Sequence, residues 1–394
     1  MEKRFVFKMV IIICMFAGII SCTKEKGINS NFKVFNVAKF RQGLITRINT
    51  SASTQPRGFS FVINQGGHVA DSFSTGIANT NPSNGASIPM TTNTQINIAS
   101  VTKLLTGVAV MQLIKARGLT IDSKISSYLP AYWNAKTAVK NLTFRELMTH
   151  SSGIRQSNTS WDSIQATCAR GLDDPGKTAD VYSNMNFAIF RAIIPFMFDQ
   201  ATAVTNENNM NQNDFEDWME ETYIDYMQDN VFTPIGISNA NPFPNPSKLY
   251  AICWSESNSV PASFTTRDPG DWTSICGGGG YVLSTLQMAQ CMAYIAQTTI
   301  LLDQDQKNLM DELYMGWDNE DSFMTYAGRA HGKDGALWYD TSGNSVQDAG
   351  DAGLQTFVVK FPNNVELALS INSIPGSYRS LNSLVKAAYD NAWE

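Results

Sequence analysis

The stretch INIASVTKLLTGVAVMQLIKARG, Ile96 to Gly118, decides how the rest of the chain is read. From Val101 onward, apolar side chains recur at Leu104, Leu105, Val108, Met111 and the Leu113/Ile114 pair. That three-and-four spacing predicts a helix that buries one broad face. Ser100 stands at its start, where a hydroxyl either caps free backbone N–H groups or acts as a nucleophile. Residues three apart on a helix are neighbours, with Cβ atoms about 5–6 Å apart, so Lys103 reaches Ser100. Among Leu104, Leu105 and Val108 the charged form of Lys103 is disfavoured, and an uncharged lysine is a base.

The 394 residues suffice for a substantial core, and 43% hydrophobic with 16% charged residues describes an ordinary globular protein. A net charge of −6, with no basic block beyond the N-terminus, argues against nucleic-acid binding. Lys3, Arg4 and Lys8 precede an apolar run, Met9 to Ile20, too short to cross a bilayer as a mature helix, which is the pattern of an export signal. The run ends in Ile19-Ile20-Ser21-Cys22, which resembles the lipobox of bacterial lipoproteins, whose cysteine becomes the lipidated first residue. The resemblance implies a signal over 1–22, a polar tether over 23–34, and a cell-envelope protein held to the membrane through a lipid on Cys22. The alternative is a plain secretory signal with an incidental cysteine, and either way the mature chain is exported. Cys168, Cys253, Cys276 and Cys291 remain in the folded part; export permits disulfides, and four cysteines allow three full pairings. Their spacing is not that of a zinc ribbon, and with His68, His150 and His331 as the only imidazoles neither a metal nor another cofactor is expected.

Phe35 to Asn49 has the apolar spacing of a helix packed on one face. Gly58 to Gln65 and His68 to Gly76 read as two strands around a Gly66-Gly67 turn. A polar loop, 79–94, delivers the chain to Ser100. Thr143 and Glu146 form a capping box for a short helix ending near His150, whose imidazole in the last turn suits bonding to free carbonyls. Tyr182-Ser183-Asn184 lies on a loop at a helix start, a place either for capping or for presenting side chains to a cleft. Residues 200–213 read as an Asn-rich surface loop, and Asp214 to Asn230 as an acidic helix with an aromatic buried stripe. The glycines 277–280 lack the Lys-Ser/Thr of a phosphate loop and read as a close backbone approach. Phe323 to Arg329, Lys333 to Trp338, Leu354 to Phe361 and Val365 to Asn372 read as strands, and Leu381 to Trp393 as a closing helix. The expected architecture is therefore α/β of the α+β type: one antiparallel sheet built from both chain ends, about 35–95 and 277–394, flanked by helices, with a mostly helical region, about 96–276, inserted in a single domain over 35–394.

Four features fall in order: Ser100-x-x-Lys103, Tyr182-Ser183-Asn184, the glycine run, and Lys333-Asp334-Gly335. Together with Leu147 to Gly153 and Thr233 to Ile237, they resemble the penicillin-recognising serine hydrolases, in the branch of class C β-lactamases, D-Ala-D-Ala carboxypeptidases and related esterases. The resemblance covers about residues 35–394. It implies a β-lactamase/transpeptidase-like fold, Ser100 as the acylated nucleophile, Lys103 as its base, and Tyr182 as the group exchanging protons with nucleophile and leaving group. It further implies that Asn184, Lys333, Asp334 and Gly335 meet the substrate and that the backbone N–H groups of Ser100 and Ala336 form the oxyanion hole. A phenol that titrates near 10 needs a cation such as Lys103 or Lys333 beside it to be partly ionised.

One residue departs from the family pattern. Asp334 replaces the hydroxyl residue after the lysine, and a carboxylate facing the pocket would compete for Lys333 and repel a substrate carboxylate. Two like charges about 4 Å apart cost about 4 kcal/mol at an effective dielectric near 20. The expected function is hydrolysis of an ester, amide or peptide bond in a small or peptide substrate of the cell envelope. A catalytically retired homologue that binds a surface partner is the alternative. The polar loops 79–94, 200–213 and 339–350 are expected to wall the pocket.

Overall fold

In β1 (Gly58–Gln65) every residue but the last is buried, so the strand has a core on each side. Phe59, Phe61 and Ile63 belong to one hydrophobic cluster and Val62 to another, the period-2 consequence of a pleated strand. The computed structural model describes residues 33–81, 83–177, 181–245, 248–256, 266–267, 270–341 and 343–394. The signal, Cys22 and nearly all of the tether lie outside the described residues, and residues 35–394 form one unit.

The other strands are β2 (His68–Thr80), β3 (Ser87–Pro89), β4 (Gln95–Asn97), β5 (Cys253–Ser255), β6 (Thr266–Arg267), β7 (Val282–Ser284), β8 (Asp318–Thr325), β9 (Gly328–Tyr339), β10 (Ala352–Phe361), β11 (Val365–Ile371) and β12 (Ser373–Ile374). The main sheet runs β8–β9–β10–β11–β1–β2–β3, with every neighbouring pair antiparallel. The first strand of the chain thus sits between the second and β11, so both chain ends build one sheet. On one face Phe61, Phe357, Val359 and Leu369 pack with Phe40 and Leu44 of the Val37–Thr50 helix and Val385 and Tyr389 of the Leu381–Asp390 helix. On the other, Val62, Val358 and Ala368 meet the Thr102–Ala116 and Thr285–Gln297 helices. The mixed architecture is that of the β-lactamase/transpeptidase fold.

Several local expectations are corrected. The Thr102–Ala116 helix is buried from Thr102 to Met111 without interruption, not on one face, because the sheet packs on one side and the inserted helices on the other. With the turn before it, Ala99–Ala116 is long and apolar enough for a membrane span, but 78% of that stretch is inside the domain, which makes it a core helix. Residues 200–209 form a helix capped by Asp199, and its asparagines bond back to the backbone, Asn208 to Val204 O and Asn209 to Thr205 O, both at 2.8 Å. The 79–94 loop contains β3, and Phe323 to Arg329 is not one strand but the end of β8, a turn and the start of β9. No disulfide joins the four described cysteines, and burial pushes the Cys168, Cys276 and Cys291 thiols up to about 12.

The C-terminal part is also tied by charge to the middle of the chain. Arg379, before the last helix, pairs with the fully buried Glu256 at 2.5 Å; Ser373 Oγ donates to Glu256 at 2.5 Å, and Arg379 Nε donates to Ser51 Oγ at 2.8 Å. Removing one partner of a buried pair strands the other charge at a cost of about 3–5 kcal/mol, while replacing both by apolar residues is far milder. Urea unfolding of Arg379→Met is therefore expected to show a loss of about that size. The double variant Glu256→Met/Arg379→Met should recover most of it.

Candidate active site

The turn that carries Ser100 is set by its neighbours. Ala99 has φ of +46°, a left-handed conformation that costs a non-glycine residue about 1–2 kcal/mol. Its N–H donates to Asn97 Oδ1 at 2.8 Å, and a 3-10 turn, Ala99–Val101, then runs into the Thr102–Ala116 helix. Ser100 does not cap that helix: no side chain caps its start. β9 presses against this turn from outside. A Cβ on Gly335 would lie 2.5 Å from Ile98 O and 3.0 Å from Ser100 N, so only glycine lets strand and turn meet. Gly335 is accordingly buried behind the turn, while its neighbour Ala336 reaches the cavity wall.

Lys103 Nζ lies 3.0 Å from Ser100 Oγ, 2.9 Å from Asn184 Oδ1 and in contact with Gly278 O. That last contact explains the glycine run, since a Cβ on Gly278 would sit 2.9 Å from Asn184 O. The lysine is wholly buried. Burial, and then the charge of Lys333, hold its pKa well below the ordinary lysine range against the opposing pull of Asp318 and Asp334. An uncharged amine has two N–H donors and one lone pair. Asn184 Oδ1 and Gly278 O only accept, so they take the donors and leave the lone pair for the Ser100 hydroxyl.

Tyr182 Oη donates to the same Ser100 Oγ at 2.7 Å. Its ring lies 4.8 Å from Lys103 Nζ and 5.4 Å from Lys333 Nζ. The residue is 45% exposed, but desolvation of the hydroxyl itself, packed on Ser100, pushes the phenol up to about 12 against the help from Lys333, and Asp318 and Asp334 oppose ionisation too. The expected part-ionised tyrosine is thereby corrected to a protonated one. His150 is corrected as well. Its ring packs 4.6 Å from that of Tyr182, and its Nδ1 accepts from Ser183 N–H at 3.3 Å and faces Asn186 Nδ2 at 3.1 Å. It buttresses the Tyr182-Ser183-Asn184 segment instead of binding helix carbonyls. Burial first, and then Lys103 and Lys333, keep it uncharged. Neither Ser183 nor Asn184 is a helix cap, since Ser183 Oγ donates to Gln156 O at 2.6 Å and Asn184 turns to Lys103.

Lys333 is fully buried, bonded to Asp318 and 3.5 Å from Asp334 Oδ1. Burial works against its charge, but attraction to Asp318, Tyr182 and Asp334 prevails and holds its pKa above the ordinary lysine range. Asp334 has a 45% exposed side chain and lines, with Ser100 and Tyr182, a cavity of about 440 Å³. Tyr314, Trp317, Asp318 and Asp321 are also on that wall, and no described residue of the three polar loops expected there is. The sequence reading missed this wall; its visible signal was the acidic run Asp318-Asn319-Glu320-Asp321. The Asp321 carboxyl accepts from Asp334 N–H at 2.9 Å and is pushed up to about 8 by burial and by Asp334, against Lys333. The carboxylates of Asp318, Asp321 and Asp334 lie within 4.8 Å of one another, the spacing of a cation site. The Lys333 ammonium already contacts two of them. A second cavity, about 290 Å³, opens on the other side of Ser100 between Trp272, Ile275 and Leu337, and it shares Asn184 and Ala336 with the first.

Comparison with known proteins identifies the family and the fold. Penicillin-binding protein 4 of Amycolatopsis lactamdurans is 24% identical over 181 residues, 43% of this chain and 42% of that protein. The teichoic acid D-alanine hydrolase of Staphylococcus aureus is 29% identical over 113 residues, 27% of this chain and 28% of that protein. The chain thus matches less than half the length of these relatives. Among solved structures, FmtA from Staphylococcus aureus aligns with a TM-score of 0.61 at 16% identity, covering 92% of this chain and 91% of that one. The beta-lactamase/D-alanine carboxypeptidase from Yersinia pestis aligns at 0.61 with 15% identity, covering 91% and 99%. At such identities the likeness is one of fold. The family model for beta-lactamase matches residues 49–373, and the chain belongs to that family of hydrolases.

Proposed function

We propose that this protein is a serine hydrolase that cleaves an ester or amide of the cell envelope through an acyl-enzyme on Ser100. The observation that carries the reading is the convergence of Lys103 Nζ and Tyr182 Oη on one hydroxyl, at 3.0 and 2.7 Å. In this mechanism Lys103, uncharged, takes the Ser100 proton as Oγ attacks the acyl carbon. Tyr182 stands between Oγ and the departing atom and passes it a proton. The N–H groups of Ser100 and Ala336 receive the charge that develops on the carbonyl oxygen. Water then reverses the sequence and releases the acid. The export pattern and lipobox-like Cys22 support a protein tethered to the envelope by lipid, and the name of the Staphylococcus aureus relative, a teichoic acid D-alanine hydrolase, suits a substrate there.

A fluorophosphonate or a labelled penicillin should add to Ser100, and peptide mass spectrometry should place the adduct there and find none in Ser100→Ala. A folded protein that takes neither label would point instead to a retired homologue that only binds.

Because uncharged Lys103 is the working form, kcat/KM should fall as pH drops through its depressed pKa and stay level above it. Lys103→Arg, cationic at all such pH values, should lose about 10²–10⁴-fold at neutral pH. A pH–rate profile of both proteins on p-nitrophenyl acetate tests this. His150→Ala, which frees the Tyr182 ring, should cost up to about a hundredfold in kcat with little change in KM. Steady-state kinetics would reveal whether KM moves instead.

A further inference from the structure

Four carboxyl side chains, those of Asp318, Glu320, Asp321 and Asp334, line the larger cavity beside Ser100, and among the described residues no lysine or arginine lines it. The nearest ammonium, Lys333, is wholly buried and engaged by Asp318 and Asp334, so it is not presented to a ligand. His150, also on the wall, is uncharged. A carboxylate entering here meets like charge from two strands, β8 and β9, while the positive charge behind them, on Lys333, is already paired with Asp318 and Asp334. The same wall carries the rings of Tyr314, Trp317 and Tyr378, and carboxylates joined to aromatic faces are the chemistry that holds organic ammonium groups.

The two cavities divide the substrate. Tyr182, the proton donor to the departing atom, lines the acidic cavity and not the smaller one. The leaving group therefore departs on the acidic side. The acyl group lies on the side of Trp272, Ile275 and Leu337.

Resting on the serine-hydrolase reading above, we propose that this enzyme takes esters or amides whose leaving group bears an ammonium and no carboxylate, with Asp334 and its neighbours as the specificity determinants. In the acylation step the Ser100 Oγ–acyl bond forms as the bond from acyl carbon to leaving oxygen or nitrogen breaks. Tyr182 gives the leaving atom its proton, the Ser100 proton taken up by Lys103 makes good that loss, and the cation stays with the departing alcohol or amine.

Three thioesters with one acyl group vary the leaving-group charge: acetylthiocholine, S-acetyl-2-mercaptoethanol and S-acetylthioglycolate, followed by the released thiol, each rate divided by that of its uncatalysed alkaline hydrolysis because the thiols differ in acidity. The expected kcat/KM falls in that order, with about tenfold or more between cation and neutral and again between neutral and anion. The ratios should shrink in high salt, and Asp334→Asn should bring the cation-to-neutral ratio toward one. Turnover that depends on Ser100 but ignores leaving-group charge, or favours thioglycolate, overturns the inference and leaves the hydrolase reading standing. Absence of any Ser100-dependent turnover of the three overturns the hydrolase reading for such substrates. Calorimetric titration of Ser100→Ala with choline and with glycolate then decides the inference without catalysis. Choline bound more tightly than glycolate, and weakened by Asp334→Asn, supports it; equal or reversed binding overturns it.

Discussion

A lysine buried without a carboxylate among its hydrogen-bond partners is the constraint on which the rest of this site depends. Lys103 touches a hydroxyl, an amide oxygen and a backbone carbonyl. In that setting the ammonium is disfavoured and the free amine is held with its lone pair toward Ser100. The surrounding structure serves this arrangement. The glycine run brings a carbonyl into reach, the Tyr182-Ser183-Asn184 segment brings the amide, and the 3-10 turn at Ala99 aims the hydroxyl.

A second buried lysine has the opposite fate. Lys333 Nζ lies 5.4 Å from the centre of the Tyr182 ring, which Lys103 Nζ approaches to 4.8 Å, and its ion pair with Asp318 keeps it charged. Two groups of one type are driven apart by their partners alone, one toward base and one toward fixed cation. The fixed cation in turn disfavours protonation of Lys103 and of His150. Its own charge is answered by Asp318 and Asp334, which add to desolvation in keeping Tyr182 protonated and make the adjoining cleft acidic.

Much of this was legible in the chain. The capping box at Thr143/Glu146, the Gly66-Gly67 hairpin and the sheet assembled from both ends all rest on local pattern, and the structure has them. The helix at 200–209 was not legible, because Asn-rich composition argues for a loop until the side chains are seen bonding back along the helix. Nor was the role of His150, whose partners, Tyr182 and Asn186, lie more than thirty positions along the chain.

The sequence by itself determined which residues were candidates for one site: Ser100 with Lys103 one helical turn away, and the Tyr182 and Lys333 motifs that follow in order. It did so because residue type and short-range spacing dictate local geometry. Only the tertiary structure decided their charge states and the polarity of the cleft. Whether a lysine is an amine or an ammonium depends on burial and on carboxylates from β8 and β9, and a strand residue such as Asp334 faces a cavity or a core according to the elements packed around it. Those are properties of the assembled fold, where groups far apart in sequence share one small, poorly solvated space.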